Sequence, residues 1–312
     1  MFMGTPEFAV PALHAVATVC DVALVVTQPD RPRGRGLVAA GTPVAVAAES
    51  LGLPVLRAAD MQSPAVREPL AALAADVFAV VAFGAILTPA LLALPRAGCV
   101  NLHGSLLPDY RGAAPVQRAL WDDRAETGVC TLFMDEGIDT GDVIACLRAP
   151  ILDDDDAGSL GARLAELGAP LLATSVQAAA AGVAQRTRQE RAAGSYAKKL
   201  RKEDGVVDWS LPARTVWAHA RAMSPWPGAT TTFRGRRVQI VRSRALAGAA
   251  NTAPGTIRAG DGPGVAVACG SGTLLITRLK PEGRAELDAG DWARGARLQP
   301  HERFELWKEQ TT

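Results

Sequence analysis

The run Val77-Phe78-Ala79-Val80-Val81-Ala82-Phe83 contains no polar side chain. It is too short to cross a membrane and lacks the alternation of a strand with one wet face, so it reads as a strand buried on both faces. Such a strand needs helices packed above and below it, and the flanking chain supplies them. Asp21 to Val26 and Pro54 to Leu56 read as strands, and helical segments are read at Phe8 to Val16, Val44 to Leu51, Ala65 to Ala74 and Pro89 to Leu94. Strands alternating with helices predict an α/β fold with a Rossmann-like, doubly wound, mostly parallel sheet. No GxGxxG follows the first strand, so nicotinamide binding is not supported. That strand has little more than Phe2-Met3 before Gly4 turns the chain, so either the start is misassigned or the strand is stunted.

Open sheets of this kind place ligands at the C-terminal ends of their strands. Cys99-Val100-Asn101-Leu102-His103 reads as a strand that runs into the loop Gly104-Ser105-Leu106-Leu107-Pro108, with a helix from Val116 to Trp121. Alternation points Asn101 and His103 the same way and sends Val100 and Leu102 into packing. An amide and an imidazole sharing one site can polarise a carbonyl and hold an oxyanion. The pair is also open to a structural reading, with Asn101 capping the turn and His103 a satisfied, half-buried histidine. A second segment, Thr131 to Ile144, reads as strand, tight turn and strand, with Asp139 at the tip beside glycines. A carboxylate beside His103 would orient the ring and favour its charged form, although Asp is also a common turn residue.

At 312 residues and 48% apolar, the chain has room for two domains. Its net charge of +1 hides a division: residues 1–185 hold 11 Lys and Arg against 20 Asp and Glu, whereas residues 186–312 hold 22 against 12. The halves are expected to meet different partners. Five cysteines lack CxxC spacing and four histidines form no ligand pattern, so neither a disulfide framework nor a metal is expected. Asp153 to Asp156 precede a helix over Leu160 to Ala180 and read as solvated carboxylates favoured by the helix dipole. No membrane span and no charged-then-apolar leader is read, which gives a cytoplasmic expectation.

Arg31, Arg33 and Arg35, set among Pro and Gly, read as an exposed basic loop, either simply solvated or in phosphate contact. Residues 186–205, with Arg186, Arg188, Arg191, Lys198, Lys199, Arg201 and Lys202, read as a basic linker between a domain over 1–185 and another over 206–312. Trp209, Trp217 and Trp226 fall in a helix-like segment. Five short strands follow, at Ala229 to Phe233, Val238 to Arg242, Gly255 to Ile257, Gly264 to Ala268 and Leu274 to Leu279. They fit a small β-barrel of the OB type. Its basic residues, Arg236 and Arg237 among them, suit RNA contact or a solvated edge.

The motifs N-L-H-G-S-L-L-P-x-Y-R-G-A-A-P-V-Q (residues 101–117) and M-D-E-G-I-D-T-G-D (134–142) resemble the folate-dependent formyltransferase family. So do Phe2 to Ala9, Thr27 to Gly36, Asp208-Trp209 and Pro225-Trp226-Pro227, and the resemblance therefore spans most of the chain. It implies 10-formyltetrahydrofolate as formyl donor and Asn101, His103 and Asp139 as the catalytic set. The folate is expected against Phe83, Gly84, Ile86 and Leu87, against Ser105, Leu106, Leu107 and Pro108, and against the turn residues Thr140, Gly141 and Asp142. Within the family the resemblance is to members that formylate methionyl-initiator tRNA in translation initiation. It implies Arg35 at the tRNA acceptor end; Arg31, Arg33, Lys198, Lys199, Arg201, Lys202, Arg236 and Arg237 are expected to add tRNA contacts by their charge, and a monomer is expected. Leu37-Val38 stand where the family usually has lysines, and Thr88 where it usually has Pro. Two other readings are a formyltransferase for a small amine, such as glycinamide ribonucleotide or an amino sugar nucleotide, and a non-catalytic RNA-binding protein.

Overall fold

The all-apolar run forms one of the inner strands of a seven-stranded sheet in the computed structural model, which describes residues 1–33, 38–190, 193–248, 252–259 and 264–307. The strands of the first half are β1 (Phe2–Gly4), β2 (Val25–Thr27), β3 (Arg31–Arg33), β4 (Val38–Ala40), β5 (Val55–Arg57), β6 (Phe78–Val81), β7 (Cys99–His103), β8 (Arg111–Gly112), β9 (Glu126–Phe133), β10 (Val143–Pro150) and β11 (Tyr196–Ala197). The helices are α1 (Val10–Val19), α2 (Pro43–Ser50), α3 (Pro64–Ala72), α4 (Pro89–Leu92), α5 (Pro115–Trp121) and α6 (Ala157–Ala180).

The sheet order is β10-β9-β7-β6-β1-β2-β5. The pairs β5–β2, β2–β1, β1–β6 and β6–β7 are parallel, and the hairpin β9–β10 continues the sheet antiparallel from β7. From β1 the chain builds outward to β2 and β5, then returns to β6 and β7 on the other side, which makes the β1–β6 boundary the switch point of the sheet. β1 has three residues, as its sequence foretold, and it is paired on both sides and fully buried. Every residue of β6 and β7 is buried as well. Phe78, Val80, Phe83, Leu87 and Leu91 join Met3 and Val26 in one core cluster.

Several expectations need correction. The basic segment around Arg31 and Arg33 forms the hairpin β3–β4, with Arg31 opposite Ala40 and Arg33 opposite Val38. Pro32 is tolerated because this two-stranded ribbon has free edges, where a missing N–H costs no ladder bond. Cys130 and Cys146 face each other across β9 and β10 and form a disulfide, with Cα atoms 4.1 Å apart. Pairing register created this bridge, and sequence spacing does not encode register. The acidic run is not uniformly solvated. Asp155 is buried, accepting from the Leu152 N–H (2.8 Å) and the Ser159 hydroxyl (3.1 Å), while Asp156 accepts from the Ser159 N–H (2.9 Å) at the start of α6. The supposed linker is structured too: β11 pairs with β8, and Thr187 bridges to Val143.

Residues 1–115, 126–150 and 160–197 form one compact unit, and residues 116–125, 151–159 and 198–312 the other. The second unit carries α7 (Ala213–Ala222), β12 (Ala229–Phe233), β13 (Arg236–Leu246), β14 (Ile257–Ala259), β15 (Val265–Ala268), β16 (Thr273–Pro281), β17 (Leu287–Asp288) and α8 (Ala289–Ala296). Its antiparallel sheet runs β12-β13-β16-β15-β14, with β17 beside β16. Glu305 pairs with Thr232 of β12, and Arg303 with Thr256 just before β14, so one segment bridges the two ends of the curled sheet. Trp209 and Trp292 stack on Phe304, and Phe233 meets Trp292 and Phe304 edge-on.

Candidate active site

The site is built where β7 ends. Burial on both faces of this strand leaves only two side chains able to do polar chemistry, Asn101 and His103, with 9% and 5% of their surface exposed. Strand alternation sets them on one face, as the sequence requires. On the other face, Leu102 packs so closely against α6 that a Cβ on Gly168 would lie 2.8 Å from its methyls. The third member arrives from the turn between β9 and β10. Asp139 sits there in the left-handed region (φ 53°), which Asp tolerates better than most residues.

Asp139 joins the set together. One carboxylate oxygen, Oδ1, lies 3.4 Å from Asn101 Nδ2; the other, Oδ2, lies 3.5 Å from His103 Nδ1 and accepts from the Gly112 N–H at 2.8 Å. His103 Nε2 is 2.9 Å from the Tyr110 carbonyl, which can only accept, so the ring donates there. Its other nitrogen, Nδ1, is on the side of the Asp139 carboxylate. Asn101 has two amide hydrogens, and Asp139 occupies one. Gly112 is required at its position: φ is +111°, and a Cβ would lie 2.7 Å from the Ala197 carbonyl oxygen. Gly141 is required as well, since a Cβ would lie 1.8 Å from the Phe133 carbonyl oxygen.

The expected folate-lining residues divide. Phe83 and Leu87 are buried in the core cluster, so their side chains pack the fold and only their backbone could meet a ligand. Ile86 is 81% exposed and Gly84 adopts positive φ, leaving the loop's outer surface to these two. The Thr5 hydroxyl fixes the loop by donating to the Phe83 carbonyl (2.9 Å). Ser105 is fully buried, and its hydroxyl donates to the Asp109 carbonyl (2.6 Å), a bond that shapes the loop through Leu106, Leu107 and Pro108. Leu106 covers Gly128 of β9, and the Leu107 N–H points to Cys130 Sγ (3.3 Å) in the disulfide. Thr140 donates to Asp135 (2.7 Å), and Asp142 lies 3.8 Å from Arg186, whose guanidinium stacks on Phe133. Cys99, at the start of β7, is no nucleophile, because burial pushes its thiol up to about 12.

Of the expected RNA-contacting residues, Arg31 and Arg33 lie on β3, and Arg35 lies outside the described residues. Lys198, Lys199, Arg201, Lys202, Arg236 and Arg237 belong to the second unit and are all exposed. Arg237 lies 5.5 Å over the Trp307 ring. Sequence reasoning missed the buried pair Arg111 and Gln189, which bond to each other beside the Asp139 turn. Among the described residues no group of three or more His, Cys, Asp or Glu is placed to hold a metal ion, and no helix is long and apolar enough to cross a membrane.

Comparison with known proteins gives the family. The methionyl-tRNA formyltransferase of Citrifermentans bemidjiense is 43% identical over 301 residues, covering 96% of this chain and 94% of that one. That of Geotalea uraniireducens is 43% identical, with 96% of each chain covered. Among solved structures, the N-formyltransferase of Helicobacter canadensis, in complex with folinic acid and dTDP-3-aminofucose, superposes with a TM-score of 0.67. It is 16% identical and covers 88% of this chain and 97% of its own, a likeness of fold. The formyl transferase model matches residues 4–176, and the formyl transferase C-terminal domain model matches residues 199–297. The chain belongs to the formyl transferase family, and it carries both the catalytic and the C-terminal domain of that family.

Proposed function

We propose that this enzyme transfers the formyl group of 10-formyltetrahydrofolate to the α-amine of methionyl-initiator tRNA, supporting translation initiation. The observation that carries this reading is the convergence of Asn101, His103 and Asp139 at the end of β7. The names and near-complete coverage of the relatives support the acceptor.

In the reaction, the amine attacks the formyl carbon, and the carbonyl oxygen takes up the negative charge. The second amide hydrogen of Asn101 is free to donate to that oxyanion. The amine must lose one proton and the departing folate nitrogen must gain one. His103, beside Asp139, handles this exchange. No covalent enzyme intermediate is needed, and holding two reactants in attack geometry supplies several kcal/mol, up to roughly 7–11. The donor is placed against the backbone of residues 83–87, the side chain of Ile86, the loop 105–108 and the turn 139–142. For the acceptor, Arg35 and the basic residues of the second unit are the proposed phosphate contacts.

Incubation with 10-formyltetrahydrofolate and methionyl-initiator tRNA should yield N-formylmethionine after ester cleavage, and His103→Ala should abolish it. Formylation of an amino sugar nucleotide or glycinamide ribonucleotide in its place would overturn the acceptor while leaving the chemistry intact.

A further inference from the structure

After α6 the chain bridges to Val143 through Thr187 and then buries Gln189 beneath the turn that carries Asp139. The Gln189 amide nitrogen donates to two carbonyls of that turn, Asp139 (2.9 Å) and Gly141 (2.7 Å). Its oxygen accepts twice from the Arg111 guanidinium, from Nε at 3.1 Å and Nη2 at 2.9 Å. The orientation of the amide is unambiguous, because carbonyls only accept and guanidinium only donates. Every hydrogen-bonding position on the nitrogen is spent on the turn. Arg111 is itself buried, and it donates further to the carbonyls of Glu190 and Ala193, both at 3.2 Å.

These bonds close a ring. Arg111 holds Gln189, Gln189 holds the Asp139 backbone, and the Asp139 carboxylate accepts from Gly112, the residue after Arg111. The carboxylate is thus held at both its backbone and its side chain, in a left-handed conformation that an unsupported Asp would readily leave. We infer that Gln189 is a positioning residue of the formyl-transfer site: it fixes the turn so that the Asp139 carboxylate faces His103 and Asn101. The inference rests on the proposed function.

The informative variant is Gln189→Glu. An ionised Glu keeps the volume and still accepts from Arg111, but it has no N–H for the two turn carbonyls and sets a negative oxygen against them. If Gln189 serves only to satisfy Arg111 and fill space, Glu replaces it; if it positions Asp139, Glu does not. The full chain should be assayed for kcat, for KM of each substrate and for Tm, with the His103 ring followed by NMR and assigned through His103→Gln. For Gln189→Glu the expected result is a near-wild-type Tm with kcat lowered by roughly 10- to 100-fold, the size associated with displacing a reacting group by about 1 Å. The acceptor KM should stay unchanged, and the His103 signal should move towards its position in Asp139→Asn. Wild-type kcat with an undisturbed His103 signal would overturn the inference, as would a defect confined to the donor KM. Should Gln189→Glu fail to fold, Gln189→Met, of similar volume and without donors, is read by the same kcat and His103 signal. Absence of formyl transfer by the wild-type chain would instead sink the proposed function, and the His103 signal would still decide whether Gln189 positions Asp139.

Discussion

Asn101 and Asp139 share a site but should fail differently when altered. Asn101 contributes one amide hydrogen to a long 3.4 Å contact with Asp139, so its loss costs the fold little. The role proposed for it is to donate to charge that exists only in the transition state. Asn101→Ala should therefore lower kcat by about 100- to 1000-fold, or roughly 3 kcal/mol, while Tm stays near the wild-type value. Single-turnover formylation and thermal unfolding of the same preparation separate the two; a near-normal turnover would remove Asn101 from the mechanism. These residues were legible in the sequence because each follows a short-range rule. Two polar residues two apart in an apolar strand must share a face, and an Asp among glycines must sit in a turn. Gln189 and Arg111 obey no such rule. A lone glutamine in a polar segment and an arginine 78 residues before it become partners only through the tertiary fold.

Elements carry the next layer of specification. The turn over residues 135–142 is set by Gly141 and by the N–H of Gly112 in the two-residue β8, so a change in β8 should be felt at the Asp139 carboxylate. Gly112→Ala would force a side chain into positive φ and against the Ala197 carbonyl, at a cost of roughly 1–3 kcal/mol or more. Unlike Asn101→Ala, it should lower Tm and kcat together, by thermal unfolding and the same assay. Strand identity was readable where apolar runs were long, as in β6, and unreadable where it depends on pairing. The β3–β4 hairpin, the Cys130–Cys146 bridge and the two-residue β17 exist because a partner strand lies alongside. In the second unit, α7 buries His219 between the Asp204 carbonyl (2.6 Å) and the Trp121 ring. Burial holds this imidazole below its ordinary 6.5, with only partial opposition from Asp204. The unfolded chain then binds a proton just below pH 6.5 that the folded chain refuses, so stability is full above that pH and is lost as pH falls through the folded value. Unfolding midpoints at pH 7.5 and 5.5 should differ less for His219→Gln than for the wild type; an equal difference would assign the acid loss to other groups.

Across the whole molecule the governing feature is the division of charge, acidic over residues 1–185 and basic over 186–312. A small folate gains little from as many exposed cations as Lys198, Lys199, Arg201, Lys202, Arg236 and Arg237, whereas an RNA acceptor gains at each phosphate it meets. Counterion release makes this measurable, because each phosphate contact contributes a slope of about 0.7–0.9 to the dependence of log affinity on log salt. The acceptor KM should therefore rise steeply between low and moderate salt while the donor KM stays nearly flat. Arg35, singled out by the family resemblance, lies in the acidic half of the sequence. Arg35→Ala should raise the acceptor KM and flatten its salt slope by about 0.7–0.9, the signature of a single lost phosphate contact. The donor KM should not change. A raised acceptor KM with the slope intact would place Arg35 on a base or on the aminoacyl end, and its contribution would then be to selection of the acceptor rather than to its capture.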